Sequence, residues 1–205
     1  MGKYVVGITG ASGSIYAKRL IDKLIELEHD VYVCITSAGK MVLESELKWD
    51  FEQKHSNKEI EYYLREIFKN HERIHYFDVR DIAASIASGS FLMDGMIVVP
   101  CSMGTLSAIS KGMSDNLIER AADVCLKERR KLVIVPREAP YNKIHLKNML
   151  ELLECGAIIM PASPSFYSNP NSIEELVDYL VIRILDQLDI KLDTKNRWNG
   201  FENNI

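Results

Sequence analysis

Tyr4-Val5-Val6-Gly7-Ile8-Thr9-Gly10-Ala11-Ser12-Gly13-Ser14 is the stretch on which the fold turns. An apolar run of strand type enters a loop of small residues, and apolar side chains then recur at Ala17, Leu20, Ile21, Leu24 and Leu27 with helical spacing. The reading is strand, tight loop, helix. Glycines at 7, 10 and 13 permit a sharp turn and let a ligand reach main-chain N–H groups. The start of the helix adds unpaired N–H groups and the positive end of its dipole, which together favour an anion such as a phosphate. Ser12 adds a hydroxyl at the mouth of the loop. The competing reading is a glycine turn that serves only to pack the helix closely on the sheet.

The bulk of the chain is consistent with a sheet built around that unit. Its 205 residues, 47% of them hydrophobic, suffice for one α/β core, so a single domain over residues 1–205 is expected, with a polar tail from about 189 onward. The formal charge of -4 arises from 25 basic and 29 acidic residues that are interspersed, which argues against a nucleic-acid surface. The basic cluster Lys127-Glu128-Arg129-Arg130-Lys131 reads as a solvated helix end. Cys34, Cys101, Cys125 and Cys155 form no CxxC pair, and because three of them lie in or beside apolar stretches they read as small core residues in a reducing compartment. No apolar run approaches the length of a membrane span, and a cytoplasmic protein is expected.

Strands are expected near residues 4–9, 30–36, 74–79, 95–100, 131–136 and 157–160, in a three-layer, doubly wound, Rossmann- or flavodoxin-like and mostly parallel α/β sheet. The second strand ends at Thr36 and Ser37, where a dinucleotide site normally has an acid for the ribose diol, so NAD is disfavoured. No tyrosine carries the Tyr-x-x-x-Lys pair of short-chain dehydrogenases. Glu44 and Glu46 fall on a short helix over 38–47, and spacing alone leaves them ordinary surface carboxylates.

His71-Glu72-Arg73-Ile74-His75 matches H-E-x-x-H in letters, yet zinc ligation needs both imidazoles on one helix face, and Ile74 to Val79 alternates like a strand. Ala83 to Ser90 reads as a flexible loop, either a plain linker or an anion lip built from Ser88 and Ser90. Cys101-Ser102-Met103-Gly104-Thr105 repeats the strand, small-residue loop and helix pattern, which suggests one ligand held between two such loops. Ser114 or Asp115 caps the next helix, on which Arg120 and Lys127 lie near one face, as ligands for an anion or as surface ion pairs. Arg137-Glu138 follows a buried strand between two prolines, at the strand end where α/β ligand sites form. A capping box of Ser172 and Glu175 opens the last helix, which carries Arg183.

Taken together, Gly10-Ala11-Ser12-Gly13, Ser88-Gly89-Ser90, Pro100 to Thr105, Asn116 to Val124, Leu126 to Arg130, Pro136-Arg137-Glu138-Ala139-Pro140 and Phe166-Tyr167 closely resemble the flavin prenyltransferases of the ubiquinone pathway and of aromatic-acid decarboxylase operons. Members of that family were long labelled phenylacrylic or hydroxyarylic acid decarboxylase subunits. The resemblance extends to Arg197-Trp198, with Ala17 standing where the family often has glycine. It implies transfer of a dimethylallyl group from dimethylallyl monophosphate to N5 and C6 of reduced FMN, without a metal. The prenylated FMN then serves a separate aromatic-acid decarboxylase, and the family assembles as homododecamers with sites at subunit contacts.

Carried over position by position, the resemblance implies an FMN site of Gly10, Ala11, Ser12, Thr36, Ser102, Met103, Gly104, Thr105 and Arg137. The prenyl-phosphate site would comprise Ser88, Ser90, Arg120, Lys127, Arg137, Tyr167 and Arg183, with Trp198 shielding the allylic group. Ser12, Glu46 and Glu138 match the family's catalytic residues. Two other readings compete. A thiol-oxidising decarboxylase of the same fold would want a histidine near the first strand-loop region, and only His145 lies in a comparable loop. A non-catalytic FMN-carrier subunit would not need Arg120, Lys127, Tyr167 and Arg183 together.

Overall fold

The computed structural model describes residues 1–69, 71–167 and 169–192. Val5, Val6 and Ile8 of β1 (Lys3–Ile8) are fully buried, because this strand lies inside the sheet with helices on both faces. It pairs in parallel with β2 (Asp30–Ile35) on one side and β4 (Gly95–Cys101) on the other, Val6 standing opposite Val33 and Ile97. With β3 (Ile74–Asp78), β5 (Lys131–Pro136) and the two-residue β6 (Ile158–Ile159), the order is β3-β2-β1-β4-β5-β6, all pairs parallel. All six expected strands are present, and the parallel character is complete where the sequence reading said mostly.

Alternation along the strands divides the core between the two faces. Val6, Ile8, Val33, Ile35, Ile97, Val99, Val133 and Val135 pack with α1 (Ser14–Glu26), α3 (Asn57–Ile67), α7 (Ile173–Gln187) and Leu43 of α2 (Ser37–Leu47). Val5, Met96, Val98, Leu132 and Ile134 pack with α4 (Met103–Ser110), α5 (Leu117–Lys127) and α6 (Lys143–Glu154). Three layers result. Each fully buried Leu or Ile contributes about 1.5–3 kcal/mol relative to exposure, which is why the apolar stripe of α1 is held on the sheet. Arg19 of α1 is also paired with Asp178 of α7.

Local differences from expectation have identifiable causes. Thr9 leaves β1 instead of ending it, because its side chain bonds across to the β4 segment. Asn116, not Ser114 or Asp115, caps α5, accepting from Glu119 N–H at 3.1 Å while buried Glu119 accepts from Asp115 N–H at 2.9 Å. Ser172 does cap α7, but Glu175 reaches back to the N–H of Asn171, one residue past the Ser172 N–H that a reciprocal box would use. Residues 83–90 are not a plain flexible linker, since a 3-10 turn, Ser85–Ala87, buries Ile86 and Ala87 against the α5 side of the sheet. His71 lies ahead of β3 and His75 within it, stacked on Tyr32 at 4.7 Å, so H-E-x-x-H forms no helix face. Among the described residues no helix is long and apolar enough to cross a membrane.

Candidate functional site

The order of strands reverses between β1 and β4, the chain building outward to β3 on one side and to β6 on the other, and this leaves a crevice beyond their carboxyl ends, where open α/β sheets hold ligands. After those two strands come the loop 9–13 and Ser102 with the first turn of α4, and Thr9 joins them. Its fully buried hydroxyl donates to the Pro100 carbonyl at 2.8 Å and accepts from Ser102 N–H at 2.8 Å. Ser102 in turn caps α4, accepting from Thr105 N–H and donating to the Thr105 hydroxyl at 3.1 Å. Sequence reasoning passed over Thr9. Its signal was a hydroxyl residue ending an apolar strand immediately before the glycine loop.

The glycines of the first loop divide by role. A Cβ on Gly10 would lie 2.5 Å from the Ala38 Cβ, so this glycine is required by the close approach of α2. Gly13, at φ 108, turns the chain into α1 from the left-handed region. A Cβ on Gly104 would meet nothing nearer than the Ser102 hydroxyl at 4.0 Å, so no packing demands glycine there. Open space at that position fits the close passage of a ligand over the start of α4.

The anion at the start of α1 is the protein's own. Glu46 accepts from Gly13 N–H at 3.0 Å and from Ser14 N–H at 2.7 Å, filling the place the sequence reading gave to a phosphate. Partial burial pushes its carboxyl up, but hydrogen bonds from the Ser12 hydroxyl and from the Ser14 and Gly13 N–H groups outweigh this and hold it below the ordinary value. A phosphate in the crevice is therefore left with the start of α4 and the free donors around it.

Arg137 closes the crevice from the β5 side. Its N–H bonds the Cys101 carbonyl at 3.2 Å, and its Nε donates to the Ser12 carbonyl at 3.2 Å, so one residue ties the end of β4 to the glycine loop. Glu138 beside it is exposed, with one oxygen accepting from Ala139 N–H at 3.0 Å. Thr36 is half-buried at the same end of the sheet and caps α2, accepting from Gly39 N–H at 2.9 Å. Ala11 is buried, so only its backbone is available to a ligand. Gly10, Ala11, Ser12, Thr36, Glu46, Ser102, Met103, Gly104, Thr105, Arg137 and Glu138 are thus gathered at the carboxyl end of the sheet.

The remaining residues are distributed elsewhere. Arg120 lies in the first turns of α5, whose leading N–H bonds Val79 beyond β3, and it pairs with Asp123 at 2.7 Å. Lys127, at the far end of α5, pairs with Glu128. Ser88 and Ser90 join hydroxyl to hydroxyl at 2.8 Å, and a Cβ on intervening Gly89 would lie 2.9 Å from Lys127 Nζ. This cluster sits where β4 and β5 begin. Seven residues of β4 separate it from the crevice, roughly 20 Å at the rise of a strand. Exposed Tyr167 lies in the connection to α7, and exposed Arg183 lies in the second half of α7. Trp198 falls outside the described residues.

Groups that other chemistries would use are otherwise engaged. His145, the histidine nearest the crevice loops in sequence, forms a capping box with Asn142 at the start of α6. Burial pushes the thiols of Cys34 and Cys101 well up and that of Cys125 to about 12, leaving them protonated and unreactive. Among the described residues no three His, Cys, Asp or Glu side chains are grouped to hold a metal ion.

Residues 2–185 match the family described as Flavoprotein. The flavin prenyltransferase UbiX of Halalkalibacterium halodurans is 44% identical over 204 residues, covering 99% of this chain and 96% of the relative. A UbiX crystal structure in complex with FMN and dimethylallyl pyrophosphate superposes with a TM-score of 0.82 at 40% identity, covering 98% of this chain and 99% of the other. A dodecameric, FMN-dependent UbiX-like decarboxylase from Escherichia coli superposes with a TM-score of 0.82 at 38% identity, over 97% and 100% of the two chains. With the crevice at the β1–β4 reversal and this likeness along nearly its whole length, the chain belongs to the flavoprotein family and, within it, to the flavin prenyltransferases.

Proposed function

We propose that the protein transfers the dimethylallyl group of dimethylallyl monophosphate to reduced FMN, forming prenylated FMN for a separate aromatic-acid decarboxylase. The observation that carries this reading is the presence of two groups of anion donors. One lines the crevice around Gly104 and Arg137, and the other is the Ser88, Ser90 and Lys127 cluster. An FMN carrier or a flavoprotein decarboxylase would need only the first.

The open space at Gly104 and the donors around it fit FMN. Gly10, Ala11, Ser12, Thr36, Ser102, Met103, Gly104, Thr105 and Arg137 would hold it, through backbone N–H groups, hydroxyls and one guanidinium. Bound in its reduced form, FMN supplies the nucleophilic N5 and C6 that receive the five-carbon group.

The chain's own residues account for the rest. Ser88, Ser90, Arg120, Lys127, Arg137, Tyr167 and Arg183 would bind the phosphate of the prenyl donor. An allylic phosphate departs as an anion, so cations and hydroxyl donors held around it stabilise the charge that develops as the C–O bond breaks. Arg120 and Lys127 each carry a carboxylate partner, so binding the phosphate exchanges one anion for another. Glu138, exposed beside Arg137, moves a proton between the phosphate oxygen and the flavin edge. Ser12 and Glu46 form the opposite side of that path, with Glu46 kept ionised by the start of α1. Trp198 would cover the allylic group, excluding water and facing its charge with an aromatic ring.

The two donor groups lie at opposite ends of the strands of one sheet, so a second copy must bring its Ser88, Ser90 and Lys127 to the crevice. A homododecamer with sites at subunit contacts meets this requirement, as the assembly of the Escherichia coli relative supports. Residues 1–205 form a single domain on this reading. A cytoplasmic location suits three buried, unpaired cysteines.

Incubation with reduced FMN and dimethylallyl monophosphate under anaerobic conditions is expected to yield a flavin heavier by one prenyl unit in mass spectrometry. Bound FMN with no mass gain would establish the carrier reading instead.

A further inference from the structure

The cluster Lys127-Glu128-Arg129-Arg130-Lys131 is not merely a solvated helix end. Arg129, at φ 54, ends α5 in the left-handed conformation, and Arg130 N–H then bonds back to the Cys125 carbonyl at 2.8 Å. This turn directs the half-buried Arg130 side chain across the sheet edge toward the segment that leads into β4. There its guanidinium donates from Nη1 to the Phe91 carbonyl at 2.6 Å and from Nη2 to the Gly89 carbonyl at 2.5 Å. The two carbonyls bracket Ser90.

We propose that Arg130 is a positioning residue for the prenyl-phosphate turn, clamping Gly89 and Phe91 so that the Ser88 and Ser90 hydroxyls stand fixed beside Lys127. The inference rests on the functional reading of that turn given above. Several contacts converge on the same arrangement. The Ser88 and Ser90 hydroxyls are 2.8 Å apart, Phe91 N–H bonds the Ser88 carbonyl at 3.2 Å, and Gly89 leaves room for the ends of Lys127 and Glu128. Two hydroxyls and an ammonium held ready for one phosphate lower the ordering cost of binding it. A planar fork spanning two carbonyls does what a single ammonium cannot, so arginine and lysine differ here. Phe91 is held independently by its edge contact with Tyr32 at 5.1 Å, so the segment remains attached when the clamp is cut.

The test uses the full chain loaded with FMN and titrates dimethylallyl monophosphate by calorimetry, alongside KM and FMN affinity. Arg130→Ala and Arg130→Lys are each expected to weaken dimethylallyl monophosphate binding and raise its KM by about tenfold or more, with FMN affinity unchanged. Millimolar guanidinium should restore much of the loss in Arg130→Ala, and sodium chloride at equal ionic strength should not. Wild-type affinity in Arg130→Lys would overturn the clamp in favour of simple charge. Parallel loss of FMN affinity would make the residue a general structural one, and also overturn it. Wild-type protein that binds the phosphate but leaves the flavin unaltered would refute the transferase reading alone. Failure of wild type to bind it would refute both.

Discussion

Glu46 illustrates how one side chain serves two ends. Because its pKa in the folded protein lies below the ordinary 4.5, its stabilising contribution is fully present above that value and is lost as pH falls through the lowered one. Glu46→Gln is expected to cost about 1 kcal/mol at neutral pH, discounted for its exposure, or roughly 2–4 °C in thermal midpoint. The difference from wild type should shrink in acid, and a pH-independent difference in thermal melts would contradict the anion-cap role. Glu138 has no such structural duty, so Glu138→Gln is expected to retain FMN and melting point while turnover falls by about 100-fold or more, measured as prenylated flavin formed. At Thr9, exchange for valine would leave the Ser102 N–H without its partner, at a cost of about 1–3 kcal/mol in denaturant unfolding. FMN affinity should fall with it, and Thr9→Ser should recover both. These side chains differed in legibility. Glu138 was marked by its place after a buried strand, whereas nothing in the local spacing distinguished Glu46 from Glu44. The contact of Glu46 joins positions 33 residues apart.

Among the elements, α2 tests whether a helix cap and a ligand contact share one hydroxyl. Thr36 accepts from Gly39 N–H, so Thr36→Ala is expected to lose about 1 kcal/mol of stability. Thr36→Asp supplies an equally good cap and should hold stability within about 0.5 kcal/mol. If Thr36 also meets FMN, that added negative charge should weaken FMN binding, measured by fluorescence titration, while unchanged binding would leave the residue a cap alone. Helices and strands were largely readable because each carries its own period and each strand run is apolar where both faces are covered. The caps were less readable. Ser114, Asp115 and Asn116 are all competent cap residues, and the folded chain uses Asn116, with the next N–H, that of Leu117, bonded to the distant Val79 carbonyl.

For the whole molecule, the decisive feature is the separation of crevice from serine turn by the length of β4. Complementation between subunits follows directly. A Glu138→Gln chain and a Lys127→Ala chain, each inactive alone, should regain activity when co-expressed, because some sites then draw both intact residues from different copies. Random assembly predicts about a quarter of wild-type turnover. No recovery in mixed oligomers of verified composition would mean that the two residues do not act in one shared site.

Taken alone, the amino-acid order determined the six strands, the layered α/β class, the glycine loop and the family resemblance, since all of these depend on residue types at short, regular separations. Tertiary structure alone decided which contacts those loops make. It put Glu46 at the start of α1, used Thr9 to join two loops, turned Arg130 onto the carbonyls of Gly89 and Phe91, and set the two donor groups at opposite ends of the strands. The physical reason is distance along the chain. Hydrogen bonds between residues tens of positions apart exist only once the strand order has brought them together, and no local period encodes that order.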